Sequence, residues 1–114
     1  MNLDHIISTC NLEILTENKS FPDVIPSGGY TSDLLSCVMA GAKQQNIWIT
    51  LQSHSNIVAV AALLDLCAVI ITEDARPDDA TIKKANEEKI VLLATKESSY
   101  SIVGNLWNMG LKQG

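Results

Sequence analysis

Three short apolar runs constrain the fold of this chain more than any other feature. They occupy residues 47–51, 67–72 and 90–94, and helix-length segments separate them. Strands that are apolar on both faces are typical of a parallel sheet whose two faces are both covered. The alternation of these runs with helical segments predicts an α/β fold. We expect a single compact domain over residues 1–114, with a mainly parallel sheet covered by helices on both faces.

The segments between and around these runs complete the expected order of elements. Residues 56–66 are apolar on almost every side, whereas residues 78–89 are amphipathic and place Ile82 and Ala85 inward. The pattern predicts further helices near residues 3–7, 33–42 and 98–109. Strands are expected at residues 12–16 and 30–32, joined by a loop that Pro22 and Pro26 punctuate.

The residues just before the first long helix form a distinctive corner. The stretch reads Gly28-Gly29-Tyr30-Thr31-Ser32-Asp33-Leu34-Leu35-Ser36-Cys37-Val38-Met39-Ala40. Paired glycines allow close approach of a ligand or another backbone. Ser32 or Asp33 can cap the helix that follows. A strand-to-helix corner of this kind can also receive an anion, because free N–H groups and the helix dipole point outward.

Polar residues follow the predicted parallel strands, and these strand ends are where open α/β sheets bind ligands. The candidate ligand-binding residues are Gly28, Gly29, Thr31, Ser32, Asp33, Gln52, Ser53, His54, Asn56, Thr72 and Thr95. Hydroxyls, amides and an imidazole suit a phosphate or sugar–phosphate ligand. The alternative is that these side chains only cap helices and close strand-end turns. For His54, the alternatives are contact with a ligand and a hydrogen bond at a helix start.

Composition and missing motifs exclude several classes of function. A net charge of −5 with Arg76 as the only arginine argues against a nucleic-acid surface. The longest apolar run, residues 57–71, contains Asp65 and is shorter than a membrane span, so no membrane contact is predicted. No phosphate-binding loop, dinucleotide fingerprint or nucleophile elbow is present. We therefore predict no catalytic residue, no metal ligand, no cofactor and no enzyme activity.

The cysteines and the acidic residues around Arg76 have simple interpretations. Cys10, Cys37 and Cys67 are widely spaced and indicate reduced, mostly buried thiols in a cytoplasmic protein. The apolar pattern around Cys37 places it among the buried ones. Acidic residues on both sides of Arg76 and Pro77 indicate the start of a helix.

The helix at residues 56–66 also bears on assembly. A helix that is apolar on all sides must be covered on all sides, and one sheet covers only one side. We therefore predict a homodimer in which a second copy covers the rest. The alternative is that the helix at residues 33–42 or the last helix covers it within the chain.

The corner at residues 28–40 resembles the central signature of DRTGG domains. Three further blocks agree in order and spacing: residues 47–54 with 56–61, residues 69–73 with 77–78, and residues 90–95. The resemblance spans nearly the whole chain and implies a free-standing DRTGG domain. The Asp-Arg-Thr that names the family is absent, because no arginine lies between Asp23 and Gly28. Any role of that arginine is therefore not carried over.

The resemblance implies a fold similar to the N-terminal domain of HPr kinase/phosphorylase, which has no kinase active site. DRTGG domains also accompany CBS modules in inorganic pyrophosphatases that adenine nucleotides control, where they contribute to dimer contacts. The first hypothesis is therefore a non-catalytic regulatory or sensory domain that dimerises and binds a small anionic ligand, such as an adenine nucleotide. The second is a ligand-free interaction subunit that assembles with a metabolic or redox enzyme. A third is a small enzyme acting on a phosphorylated metabolite.

Overall fold

A five-stranded sheet with helices on both faces forms the protein, as seen in a computed structural model that describes residues 1–113. The strands are β1 (Glu13–Ile14), β2 (Gly28–Thr31), β3 (Asn46–Thr50), β4 (Ala68–Ile71) and β5 (Leu92–Ala94). The helices are α1 (Leu3–Thr9), α2 (Leu35–Gly41), α3 (Asn56–Leu64), α4 (Asp79–Glu88) and α5 (Ser99–Asn108).

The strand order confirms the predicted, mainly parallel sheet. The order is β1-β5-β4-β3-β2, and strands β2 to β5 run parallel in sequence order. The expected strand at residues 12–16 is reduced to two residues, which pair antiparallel with β5 at the edge. The single compact α/β domain is therefore as predicted, with one antiparallel edge strand.

Each face of the sheet buries its own apolar cluster. Side chains alternate along each strand, so Ile47 and Ile49 face α1 and α5, whereas Trp48 faces α2, α3 and α4. Strands β2 to β5 are added in one direction, and right-handed crossovers then place all three connecting helices on the same face. The parallel strands therefore contain no reversal of order, the feature that creates a ligand crevice in many α/β sheets.

Helix α2 starts later and buries less than its sequence predicts. Its first residue is Leu35, and Leu34 before it is exposed instead of packed in the core. The only fully buried residue of the helix is Val38. The reason is its position: α2 lies beside the edge strand β2 and packs against α3 on one flank.

The three cysteines divide between buried and exposed positions. Cys10 and Cys67 are buried, and burial raises the pKa of both thiols, that of Cys67 to about 12. The expectation that Cys37 is buried was wrong, because it lies on the outer side of α2. All three cysteines are free thiols.

Candidate functional site

The carboxyl ends of the four parallel strands lie at one end of the sheet. The loops that follow these ends form two stretches that differ in structure. We call the first the closed stretch; it consists of residues 31–34 and Thr50. We call the second the open crevice, lined by Leu51, Gln52, Ser53, His54, Ser55, Arg76, Asp78, Ala80 and Thr81. The closed stretch lies at the ends of β2 and β3, and the crevice lies at the starts of α3 and α4.

Hydrogen bonds within the chain connect the two parts of the closed stretch. The Asp33 carboxylate accepts from the Thr50 hydroxyl and the Leu51 N–H, each at 2.8 Å. The Asp33 carbonyl accepts from the Gln52 amide at 3.0 Å. These bonds tie the loop after β2 to the loop after β3, so the Asp33 carboxylate serves the fold rather than the cap of α2.

Ser32 and Thr31 are used in the same way. The Ser32 carbonyl accepts from the indole N–H of Trp48 at 2.9 Å, and the Ser32 hydroxyl accepts from the Leu34 N–H at 3.1 Å. The Thr31 hydroxyl donates to the Ile49 carbonyl at 2.9 Å. Of the predicted capping residues, therefore, neither Ser32 nor Asp33 forms a side-chain bond to the first turn of α2, for which no cap bond is found within residues 1–113.

Thr72 and Thr95 also lie outside the open crevice. The Thr72 side chain is fully buried, and its hydroxyl lies 2.6 Å from that of Ser99 at the start of α5. The Thr95 hydroxyl accepts from the Glu97 N–H at 3.1 Å and closes the turn after β5. These two threonines match the capping and turn alternative.

The two glycines lie away from the crevice. Gly28 pairs with Asn46 at the amino end of β2, and Gly29 is the next residue along the strand. The carboxyl end of the same strand lies at the end of the sheet where the crevice is found. The structure therefore separates Gly28 and Gly29 from Gln52, Ser53 and His54.

The open crevice encloses about 450 Å³ and brings together the N-terminal ends of two helices. Predicted residues Gln52, Ser53 and His54 line it, and Asn56 lies in the first turn of α3. Backbone N–H groups and the helix dipole make such ends favourable for negative charge. The arrangement can hold an anion between the loop after β3 and the loop before α4.

His54 begins the loop-to-helix transition of α3. Its Nδ1 accepts from the Asn56 N–H at 3.2 Å, and its carbonyl accepts from the Ile57 N–H at 3.0 Å. An accepting Nδ1 assigns the proton of the neutral ring to Nε2. This side chain is exposed, so its Nε2–H can donate to a ligand while Nδ1 holds the helix start.

Two charged residues of the crevice were not among the predicted site residues. Arg76 donates two hydrogen bonds to the Glu13 carboxylate of β1, both at 3.0 Å, and this pairing lowers the pKa of Glu13. Asp78 caps α4 by accepting from the Thr81 N–H at 2.8 Å, and hydrogen bonding to the Thr81 side chain and backbone lowers the pKa of Asp78. The sequence predicted a helix start around both residues. It did not indicate that this helix faces the loop containing His54.

Comparisons with known proteins identify the fold. No protein-family model matches the chain, and no curated protein matches it. One similar solved structure is that of the CBS and DRTGG domains of the regulatory region of Clostridium perfringens pyrophosphatase, complexed with the activator diadenosine tetraphosphate. It matches with a TM-score of 0.71 at 18% identity, over 90% of this chain and 44% of that one. The chain has a DRTGG-like fold.

Within residues 1–113, no helix has the length and apolar character that crossing a membrane requires. Over that range, no cluster of three or more histidine, cysteine, aspartate or glutamate side chains is placed to hold a metal ion. The DRTGG-like match is to a regulatory region, and the chain spans less than half of that protein's length.

Proposed function

We propose that this protein is a non-catalytic regulatory domain that binds a small phosphorylated anion, with an adenine nucleotide as the first candidate, in the open crevice. The observation that carries the proposal is the convergence of two helix N-termini, His54 and Arg76 on one cavity. The complex of the similar pyrophosphatase region with diadenosine tetraphosphate supports the choice of ligand.

The crevice supplies donors of the kind that phosphate oxygens accept. The Nε2–H of His54, the Ser53 hydroxyl and the Arg76 guanidinium all border the cavity. Arginine binds phosphate through paired N–H groups, as it binds the Glu13 carboxylate in the free protein. A bound phosphate therefore competes with Glu13 for Arg76.

That competition gives the domain a way to respond to its ligand. The Arg76–Glu13 pair joins the loop before α4 to the edge strand β1. When phosphate binds Arg76, the Arg76–Glu13 ion pair breaks. Ligand binding in the crevice thereby alters the edge strand β1. In this proposal, the regulatory signal is the loss of the ion pair that joins β1 to the loop before α4.

A thermal-shift panel of adenine nucleotides, including diadenosine tetraphosphate, tests the proposal. A ligand at 100 times its Kd adds about 2.7 kcal/mol of stability. For a domain of this size the midpoint then rises by about 10 °C. The double change Ser53→Ala with His54→Ala should abolish the shift, whereas His5→Ala, on the remote helix α1, should preserve it. A flat panel, or a shift that survives the double change, contradicts the proposal.

We further propose that the protein forms a homodimer through α2 and α3. Neither helix carries a charged residue, and α3 leaves Ala59, Ala62 and Leu63 exposed. Leu63 is 69% exposed, and Met39 on the adjacent α2 is 45% exposed. In a chain of net charge −5, an uncharged face is where two copies meet without repulsion.

Light scattering at tens of micromolar distinguishes the assemblies. A dimer that Leu63→Glu converts to a monomer supports self-association, with Ile25→Glu as the control because Ile25 is equally apolar but lies in the β1–β2 loop. A wild-type monomer contradicts it. The alternative function, a subunit of a metabolic or redox enzyme, uses the same face and predicts co-purification of that enzyme in place of the homodimer. Either assembly is proposed to be cytoplasmic, which the three free thiols support.

A further inference from the structure

A second cavity, separate from the open crevice, lies between β2, α5 and residues 111–113. Its volume is about 250 Å³. The buried side chains of Ile49, Leu106 and Leu111 form an apolar floor. The chain returns to the edge strand here, because the Gly29 N–H donates to the Lys112 carbonyl at 3.1 Å. None of the residues that line this cavity belongs to the crevice.

Gly29 keeps one wall of this cavity open. A Cβ at this position would approach no heavy atom more closely than 3.8 Å, and the nearest are side-chain atoms of Ile49 and Leu111. The backbone of Gly29 is ordinary strand, so neither crowding nor a left-handed conformation requires glycine. Glycine within a strand costs stability and often marks the close approach of another backbone, here that of Lys112, or of a ligand.

The rim of the cavity has an aromatic platform and a positive charge. Trp107 is 54% exposed, and the Lys112 ammonium lies 4.4 Å from the centroid of its ring. Among the described residues that line the cavity, none is acidic, although the whole chain has a net charge of −5. The same ammonium donates to the Trp107 carbonyl at 2.8 Å, which holds the charge at the rim. An apolar floor with a cation at its rim favours a flat apolar molecule with a negative group.

The volume limits the size of that molecule. A cavity of about 150 Å³ holds benzene, so about 250 Å³ suits one or two fused rings. We propose that this cavity is a second ligand site, which takes a small planar aromatic carboxylate with its ring on the apolar floor next to Trp107 and its carboxylate beside Lys112. This inference is independent of the function proposed for the crevice.

NMR titration of the ¹⁵N-labelled protein with 2-naphthoate tests the inference, because the chain has two indole N–H groups. Trp107 borders the cavity, whereas Trp48 is buried on the other face of the sheet and donates to Ser32. Saturable shifts of the Trp107 indole and of the Val103 and Lys112 amides are expected, with the Trp48 indole unchanged. Absence of saturable shifts, or shifts confined to residues 51–55, overturns the proposal.

Variants and a neutral probe separate the ring from the charge. Lys112→Met should weaken 2-naphthoate by roughly threefold to fivefold, as expected of an exposed charge pair, and leave 2-naphthamide unaffected. Val103→Phe should fill the cavity and abolish both, while Tyr100→Ala, on the same helix at a 91% exposed position, should alter neither. Trp107→Leu provides a second test at the surface if Val103→Phe does not fold. Binding that survives both Val103→Phe and Trp107→Leu contradicts the inference.

Discussion

Asp33 and His54 both lie in loops that follow parallel strands, but their side chains have different surroundings. One carboxylate oxygen of Asp33, Oδ1, accepts from both the Thr50 hydroxyl and the Leu51 N–H. His54 uses one ring nitrogen at the start of α3 and presents the other to a cavity of about 450 Å³. The same kind of sequence position therefore contributes to the fold in one case and is available to a ligand in the other.

The difference follows from the neighbours of each loop. The loop after β2 lies at the edge of the sheet, and its only strand neighbour is β3, whose loop supplies donors. The loop after β3 lies between α3 and α4, where two helix ends diverge and leave a gap. Polar residues at strand ends are thus informative about function only where the adjacent element leaves them unpaired.

The largest loss of stability is expected from substitution of Trp48, which donates a hydrogen bond to the closed stretch. Trp48→Ala removes a fully buried ring and the indole bond to the Ser32 carbonyl. A loss of about 3–5 kcal/mol in the free energy of unfolding is expected. Urea denaturation measures it, and Trp48→Phe, which keeps a ring, should cost clearly less. Because both variants lose the indole bond, equal costs would contradict the expected contribution of the buried ring.

Asp33→Ala should have the next largest effect, because it leaves the buried Thr50 hydroxyl without the acceptor for its proton. We expect a loss of about 2 kcal/mol, within the range for hydrogen bonds to a charged group. Asp23→Ala, in the exposed loop before β2, is the matched control and should change stability by less than about 0.5 kcal/mol. If both variants unfold at the same urea concentration, the closed stretch is not structural.

Ser53→Ala with His54→Ala should affect stability much less than Asp33→Ala. The lost bond from Asn56 to the His54 ring resembles the loss of a helix cap, which costs about 0.5–1 kcal/mol. Nucleotide-dependent stabilisation should nevertheless disappear. A destabilisation as large as that of Asp33→Ala would remove the contrast between the two stretches.

The smallest effect on stability is expected for the Arg76–Glu13 pair, which is exposed and therefore weak. Arg76 lowers the pKa of Glu13 in the folded state, so the pair stabilises the protein above the ordinary glutamate pKa of 4.5. This contribution is lost as pH falls through the lowered pKa. The difference in melting midpoint between wild type and Glu13→Gln should therefore be present at pH 7 and should shrink as the pH falls below 4.5 and Glu13 is protonated.

Glu17→Gln is the control for that pH series. Glu17 is exposed and close in sequence, and it forms no ion pair within residues 1–113. Its midpoint should follow wild type at every pH. A constant offset between wild type and Glu13→Gln down to low pH would contradict the assigned pairing.

The fold was largely predictable because buried strands are visible in the sequence. The runs that became β3, β4 and β5 are apolar on both faces, and no other element gives that pattern at this length. Helix α2 was harder to predict. Its apolar residues suggested burial, but its place beside an edge strand leaves Cys37 and Met39 exposed, and that place depends on strand order.

The candidate site was only partly predictable, since hydrogen-bond partners depend on which loops meet. Gln52, Ser53 and His54 were identified from their position after a strand, and the crevice contains them. Arg76 lies more than 20 residues further along the chain, and its approach depends on the pairing of β3 with β4. The cavity beside Gly29 depends on the contact of residues 111–113 with β2, which no local sequence pattern predicts.

The most direct test of the division between the two stretches is an NMR titration with diadenosine tetraphosphate. With ¹⁵N-labelled protein, the largest amide shifts are expected at residues 51–55 and 76–81, with a change in the Arg76 side-chain signal. Residues 31–34 and the Trp48 indole should move little. Shifts centred on Asp33 and Thr31, or on the Trp107 indole with residues 51–55 unchanged, would contradict the account, as would the absence of any saturable shift.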